Sequence, residues 1–111
     1  MDGRTVFKWA VRTVPEITQE LLKMAGMKMQ DIDLLVTHQA NRRIIDAAVE
    51  NLDIAPEKVF VNVNRYGNTS AASIPISLHE AVVQGQIQPG SVVMMIGFGG
   101  GLNWGGCIMR W

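Results

Sequence analysis

The sequence has 111 residues, a length that favours one small domain over two. Apolar residues make up 48% of it and charged residues 18%, which predicts a packed core and argues against disorder. Ten basic side chains balance ten acidic ones, so bulk charge does not favour binding to nucleic acid or to an anionic membrane. A polar start, no long apolar run and a single cysteine argue against a signal peptide, a membrane helix, a disulfide and a cysteine-rich zinc site. We expect a soluble cytoplasmic protein without a metal or a cofactor.

Helical spacing of apolar residues predicts a helix over residues 4–25. Pro15 lacks a backbone donor and crowds the preceding turn, so we expect two helical pieces that meet near Thr13. Gly26 is predicted to end the second piece.

Short apolar runs alternate with helical spacing through the middle of the chain. Residues 33–37 predict a buried strand, and residues 41–51 predict a helix. Three valines in alternation predict a further strand over residues 58–63.

The last third predicts one helix and two strands. Residues 71–84 predict the helix, with Pro75 acceptable only in its first turn. Residues 91–96 read as a strand covered on both faces, and residues 103–110 as a final strand. The short glycine-rich link between these strands favours an antiparallel pair, and the order of elements favours an α/β layered fold.

Three polar or glycine-rich clusters each follow a predicted strand, at residues 38–41, 64–70 and 97–101. If the strands are parallel, all three clusters emerge at one edge of the sheet. Open α/β sheets bind ligands at that edge. This coincidence points to a site there, although each cluster has a simpler structural explanation.

His38 at a strand-to-helix junction can serve a purely structural role, and Asn68 is also typical of a turn. The run Gly99–Gly101 lacks the spacing and the following helix of a dinucleotide fingerprint. It is either a tight turn or a loop that aims a backbone N–H at an oxyanion.

Arg42 and Arg43 are either a solvated helix face or a phosphate-binding pair at the mouth of a pocket. Cys107 lies in an apolar strand, where a small buried hydrophobe is expected rather than a nucleophile. His79 lies mid-helix without a motif around it and is predicted to be a surface residue.

Four segments together resemble the β-ketoacyl-acyl-carrier-protein synthase III family of bacterial type II fatty acid synthesis. They are HQANRRII at 38–45, GNTSAASIP at 67–75, GFGGGLNWG at 97–105, and the opening MDGR with Val6 and Phe7. Each segment alone is a weak signal. Their order and natural spacing over the whole chain make the resemblance specific.

The resemblance implies a thiolase-like fold, a five-layered αβαβα arrangement made of two halves, with a mixed sheet and helices on both faces. Residues 1–111 would form part of the C-terminal domain, which is the second of these halves. The family's nucleophilic cysteine lies in the other, N-terminal half, in a motif that does not occur here. Implied partners are acyl carrier protein, an acyl-CoA substrate and that N-terminal half, with a homodimer for the complete protein. The chain alone is expected to be inactive.

The resemblance also implies roles for individual residues. His38 and Asn68 would stabilise the negative charge that develops on the malonyl thioester oxygen during decarboxylation. The remaining assignments are the oxyanion and acyl pocket (Phe98, Gly99, Gly100, Gly101), the CoA or pantetheine channel (Gly3, Phe7, Asn41) and the carrier-protein surface (Gln39, Arg42, Arg43). Two alternatives remain open: a polyketide-type condensing enzyme of the same fold, and a non-catalytic module that binds a carrier protein or a CoA thioester.

Overall fold

The fold alternates helices with strands around one small sheet. A computed structural model of the protein describes residues 3–39, 41–67, 72–99 and 103–111. In chain order the elements are helix α1 (Gly3–Ala25), strand β1 (Leu34–Thr37), helix α2 (Arg42–Val49), helix α3 (Val63–Tyr66), helix α4 (Ser73–Val83), strand β2 (Val92–Gly99) and strand β3 (Asn103–Arg110). Two 3₁₀ turns lie at Met29–Asp31 and Pro56–Lys58. Among the described residues, no helix is both long and apolar enough to cross a membrane.

The described strands form one mixed sheet in the order β1-β2-β3. β1 is parallel to β2, and β2 is antiparallel to β3, which confirms the predicted antiparallel pair. Because side chains alternate along a strand, β1 sends Leu35 into one apolar cluster and its neighbours Leu34 and Val36 into another. Helix α1 contributes to the first cluster and α4 to the second. The two clusters cover β1 and β2 on both faces, as the apolar run at 91–96 predicted.

Helix α1 runs without a break through Pro15, so the predicted division near Thr13 is wrong. A buried face continues on both sides of the proline, from Ala10 through Val14 to Ile17. The free energy gained by burying this face exceeds the cost of the one backbone hydrogen bond that Pro15 cannot make. Gly26 ends the helix as predicted, with a φ of 66° that disfavours other residues.

The strand predicted over residues 58–63 does not form. Val59 makes one isolated bridge to Leu35, and the N–H of Phe60 donates to the carbonyl of Leu35 at 2.9 Å. Beyond Phe60 the backbone bonds to a side chain instead of a strand, and the chain turns into α3 at Val63. The segment still lies beside β1, which is the placement that the site requires.

Candidate active site

His38 lies at the carboxyl end of β1, directly after the last residue of the strand. Its backbone N–H donates to the carbonyl of Ile96 in the parallel strand β2 at 2.9 Å. The imidazole is partly buried and meets the ring of Phe98 edge to face, at 5.4 Å and 90°. Phe98 in turn contacts Trp9 of α1 at 5.9 Å. The sheet therefore fixes the backbone of His38, and an aromatic pair restricts its ring.

The second restraint on the imidazole is a hydroxyl. Nδ1 of His38 lies 2.7 Å from Oγ of Ser73, the first residue of α4. Partial burial lowers the pKa of His38 below its ordinary value of 6.5, because desolvation disfavours the charged form. His38 is therefore a neutral imidazole at physiological pH, able to donate from one nitrogen and accept at the other.

Gln39 is buried, with 1% of its surface exposed, so the prediction that it contacts a carrier protein is wrong. Its Nε2 donates to the carbonyls of Thr37 (2.9 Å) and Phe60 (3.2 Å). Its Oε1 accepts from the backbone N–H groups of Asn62 (3.0 Å) and Val63 (3.3 Å). A side chain with this many buried partners is structural, and it ties the segment before residue 64 to the end of β1.

A groove of about 580 Å³ lies between the start of α1 and the start of α2. Its lining includes Phe7, Asn41, Arg42 and Arg43, four residues that the sequence predicted for a pantetheine channel or a carrier-protein surface. The guanidinium of Arg43 lies over the Phe7 ring, 5.4 Å from its centre. Asn41 caps α2 by accepting the N–H of Ile44 at 2.9 Å. The structure thus brings together residues that lie 34 or more positions apart in the chain.

Arg42 and Arg43 differ in how their charge is used. Arg42 forms an exposed ion pair with Asp46 one turn later, at 2.9 Å. Arg43 keeps its charge beside the aromatic wall of the groove. Of the two, Arg43 is the better candidate for binding an incoming phosphate or carboxylate.

Several predicted residues lie outside the described part of the chain: Asn68, Gly100 and Gly101. Gly3 opens α1, and Gly99 ends β2 beside Phe98. Because β1 and β2 are parallel, His38 after β1 and Gly99 at the end of β2 lie at the same edge of the sheet. Gly97–Gly99 of the third predicted cluster belong to β2 itself.

Cys107 is exposed on the edge strand β3, so the prediction of a buried cysteine is wrong for this chain. Cys107 pairs with Met95 of β2. Its own strand, β3, is separated from β1 by β2. His79 is exposed on α4, as predicted. Within the ranges that the structure covers, no group of three or more histidine, cysteine or acidic side chains is arranged to hold a metal.

Comparison with known proteins gives consistent matches. The family model for the C-terminal part of 3-oxoacyl-[acyl-carrier-protein] synthase III matches residues 22–111. A β-ketoacyl-[acyl-carrier-protein] synthase III from Symbiobacterium thermophilum is 54% identical over all 111 residues, and the chain covers 34% of its length. The corresponding protein from Rhodopirellula baltica is 52% identical over the same residues, and the chain covers 32% of it.

Solved structures agree with the sequence matches. The crystal structure of a β-ketoacyl-[acyl carrier protein] synthase III from Thermus thermophilus matches the whole chain with a TM-score of 0.96 at 52% identity, over 35% of that chain. A 3-oxoacyl-[acyl-carrier-protein] synthase III from Aquifex aeolicus matches with a TM-score of 0.96 at 51% identity, over 36% of its length. The chain thus spans about a third of the length of the relatives it matches.

Proposed function

Because the chain belongs to the 3-oxoacyl-[acyl-carrier-protein] synthase III family, we propose that residues 1–111 are the C-terminal part of an enzyme that initiates type II fatty acid synthesis. The reaction condenses an acetyl- or other short-chain acyl-CoA with malonyl-acyl carrier protein. A cysteine thiolate takes the acyl group and releases CoA. Malonyl-acyl carrier protein then loses carbon dioxide, and the resulting carbanion attacks the acyl carbon and expels the cysteine.

The observation that carries this proposal is the partly buried imidazole of His38, restrained by Phe98 and Ser73. As carbon dioxide leaves, negative charge builds on the oxygen of the malonyl thioester. A neutral N–H can stabilise that charge without losing its proton, and burial keeps the imidazole neutral. One preorganised donor of this kind is worth about 10²–10³ in rate.

Asn68 is the second donor in the proposal. It lies six positions after Asn62, which Gln39 holds beside β1, and five positions before Ser73, which contacts His38. Both anchors lead to residues 38 and 39, which supports a shared site for the imidazole and the carboxamide. Gly100 and Gly101, after β2, are proposed to offer a backbone donor to the oxyanion of the acyl-enzyme.

The thiol nucleophile is proposed to come from the N-terminal part of the complete protein. The single cysteine of this chain, Cys107, lies on β3 and not at the edge that holds His38. Large apolar side chains are exposed on or beside β3, including Trp104 (46%), Met109 (39%) and Trp111 (44%). Such a surface supports packing against a further part of the protein. The resemblance adds a homodimer of the assembled enzyme, which sedimentation of the reconstituted protein tests.

Reconstitution tests the proposed function directly. The 111-residue chain is mixed with the N-terminal part, and carbon dioxide release from malonyl-acyl carrier protein is measured with each part alone and with both. We expect activity only from the mixture, and a loss of about 10²–10³ in rate for His38→Ala. His79→Ala is the matched control, since His79 is exposed on α4. Full activity of the isolated chain, or an active His38→Ala mixture, would contradict the assignment.

The groove beside α1 is proposed to receive the phosphopantetheine arm, with Arg43 attracting the acidic carrier protein. Exposed charges of this kind mainly raise the association rate and make it sensitive to salt. Arg43→Ala is expected to weaken carrier-protein binding by about fivefold or less and to reduce its salt dependence. Arg110→Ala, at the end of β3, is the control and should leave binding unchanged. Equal effects of the two variants would place the carrier protein elsewhere.

The alternative of a non-catalytic binding module rests on the same missing thiol. In that case the mixture would bind carrier protein but release no carbon dioxide. A polyketide-type condensing enzyme of the same fold would release carbon dioxide and extend the product repeatedly. Product analysis therefore separates all three functions.

A further inference from the structure

Ser73 is the one described side chain with a hydrogen bond to the imidazole of His38. It is 2% exposed and lies 35 positions away in the chain. The family resemblance assigned no role to it. The contact between Ser73 and His38 therefore comes from the geometry of the structure and not from the resemblance.

The direction of the bond follows from what else Oγ of Ser73 contacts. The backbone N–H of Gln39 points at the same oxygen, at 3.4 Å. A hydroxyl has one hydrogen to donate and two lone pairs to accept with. The hydroxyl is buried, and Nδ1 of His38 is the one acceptor that the described residues offer to its hydrogen, so we assign the hydroxyl as the donor and Nδ1 as the acceptor. An imidazole that accepts at Nδ1 carries its own hydrogen on Nε2.

We propose that Ser73 is a positioning residue that holds neutral His38 as the tautomer protonated on Nε2. Nε2 is then the nitrogen that donates to the thioester oxygen, so the use of this tautomer rests on the proposed function. The tautomer itself does not, because it is inferred from the hydrogen-bond partners of the Ser73 hydroxyl. Phe98 adds an independent restraint on the ring, so the donor is fixed both in identity and in direction.

Nitrogen NMR of the chain tests the tautomer without any assay of activity. The chain has two histidines, so a sample labelled at the imidazole nitrogens gives two sets of signals, and His79→Gln leaves only those of His38. We expect Nε2 to be the protonated nitrogen in the unsubstituted chain at neutral pH. A spectrum with the hydrogen on Nδ1 would overturn the proposal, and this reading needs no variant of Ser73.

Substitution of Ser73 tests the cause. Ser73→Ala removes the hydroxyl, and the His38 signals should move towards the average of the two tautomers. Ser77→Ala is the matched control: Ser77 is buried one turn later on α4 and bonds to the carbonyl of Ser73, without an observed contact to His38. An unchanged tautomer in Ser73→Ala, or an equal change in Ser77→Ala, would overturn the proposal.

Kinetics of the reconstituted enzyme complete the test. Ser73→Ala should lower the rate of decarboxylation by about fivefold to tenfold, the worth of one hydrogen bond, and leave KM nearly unchanged. Ser73→Thr keeps the hydroxyl and should restore most of the rate. An inactive unsubstituted mixture whose His38 is protonated on Nε2 would refute the proposed function and leave the tautomer standing. An active mixture with the hydrogen on Nδ1 would do the reverse.

Discussion

Gln39→Leu is the substitution that best tests how the site is built. Leucine is close to glutamine in size, so the change removes polar contacts more than volume. Gln39 makes four hydrogen bonds with the backbone and is 1% exposed. At about 1 kcal/mol for each bond the four bonds sum to about 4 kcal/mol, and the free energy of unfolding should fall by about 3 kcal/mol after the gain from the apolar side chain is subtracted. Domains of this size are stable by about 5–15 kcal/mol, so the loss is large.

Urea unfolding, followed by circular dichroism, measures this loss. Gln30→Leu is the control with the same chemical change, because Gln30 is exposed and makes one side-chain bond, to Asp53 at 3.1 Å. It should change stability by less than about 0.5 kcal/mol. A Gln39→Leu variant that loses less than about 1 kcal/mol would refute the view that this side chain replaces a strand partner.

Hydrogen exchange adds a local test of the same reasoning. The amides of Asn62 and Val63 donate to Oε1 of Gln39, and should exchange faster in Gln39→Leu. The amide of Phe60 donates to the carbonyl of Leu35 and should remain protected. Equal acceleration at all three amides would indicate a general loosening instead of the loss of one brace.

Three further predictions concern the packing and the chemistry of the site. Gly106→Ala should lower the free energy of unfolding by about 1 kcal/mol in urea titrations, because a Cβ there would lie 2.9 Å from Cδ1 of Leu21. Gly105→Ala is the control and should be neutral, since a Cβ at residue 105 meets nothing within 4 Å. Equal losses of stability in the two variants would contradict this explanation. The pKa of His38 is lowered in the folded state, so the unfolded state binds the proton first as the pH falls. Stability should therefore decrease below about pH 6.5, and His38→Gln should remove that part of the decrease; an unchanged pH profile in the variant would show that another group is responsible. Phe98→Leu keeps an apolar side chain but removes the edge-to-face contact, and should lower decarboxylation by the reconstituted enzyme by roughly fivefold or less, while an unaltered rate would deny the ring a role.

Local signals predicted most of the elements. A continuous apolar run predicted the strand at 91–96, and the short glycine-rich link correctly predicted the antiparallel pairing of β2 with β3. The two errors share a cause, which is that a partner distant in the chain overrides a local rule. Packed neighbours hold α1 together across Pro15. The side-chain amide of Gln39, not a strand, bonds to the carbonyl of Phe60 and to the N–H groups of Asn62 and Val63.

The candidate site divides in the same way. His38 could be selected because a histidine after a buried strand, inside a family motif, is a local feature. Ser73 could not, since its contact joins residues 35 positions apart and leaves no periodic pattern in the sequence. Gln39 was assigned to the carrier-protein surface by the resemblance, and only its burial and its four backbone partners identify it as structural.

These two residues explain how a short chain holds a neutral donor in place. Gln39 bonds to Asn62 and Val63 at the start of α3, and Ser73 at the start of α4 bonds to His38, so both helices are tied to the two residues that follow β1. The imidazole is thereby held by the sheet on its backbone side, by Phe98 on one ring edge and by Ser73 at Nδ1. Nε2 is the ring nitrogen left for a substrate. Preorganisation of that kind is what allows a single N–H to stabilise a developing charge without reorganisation during the reaction.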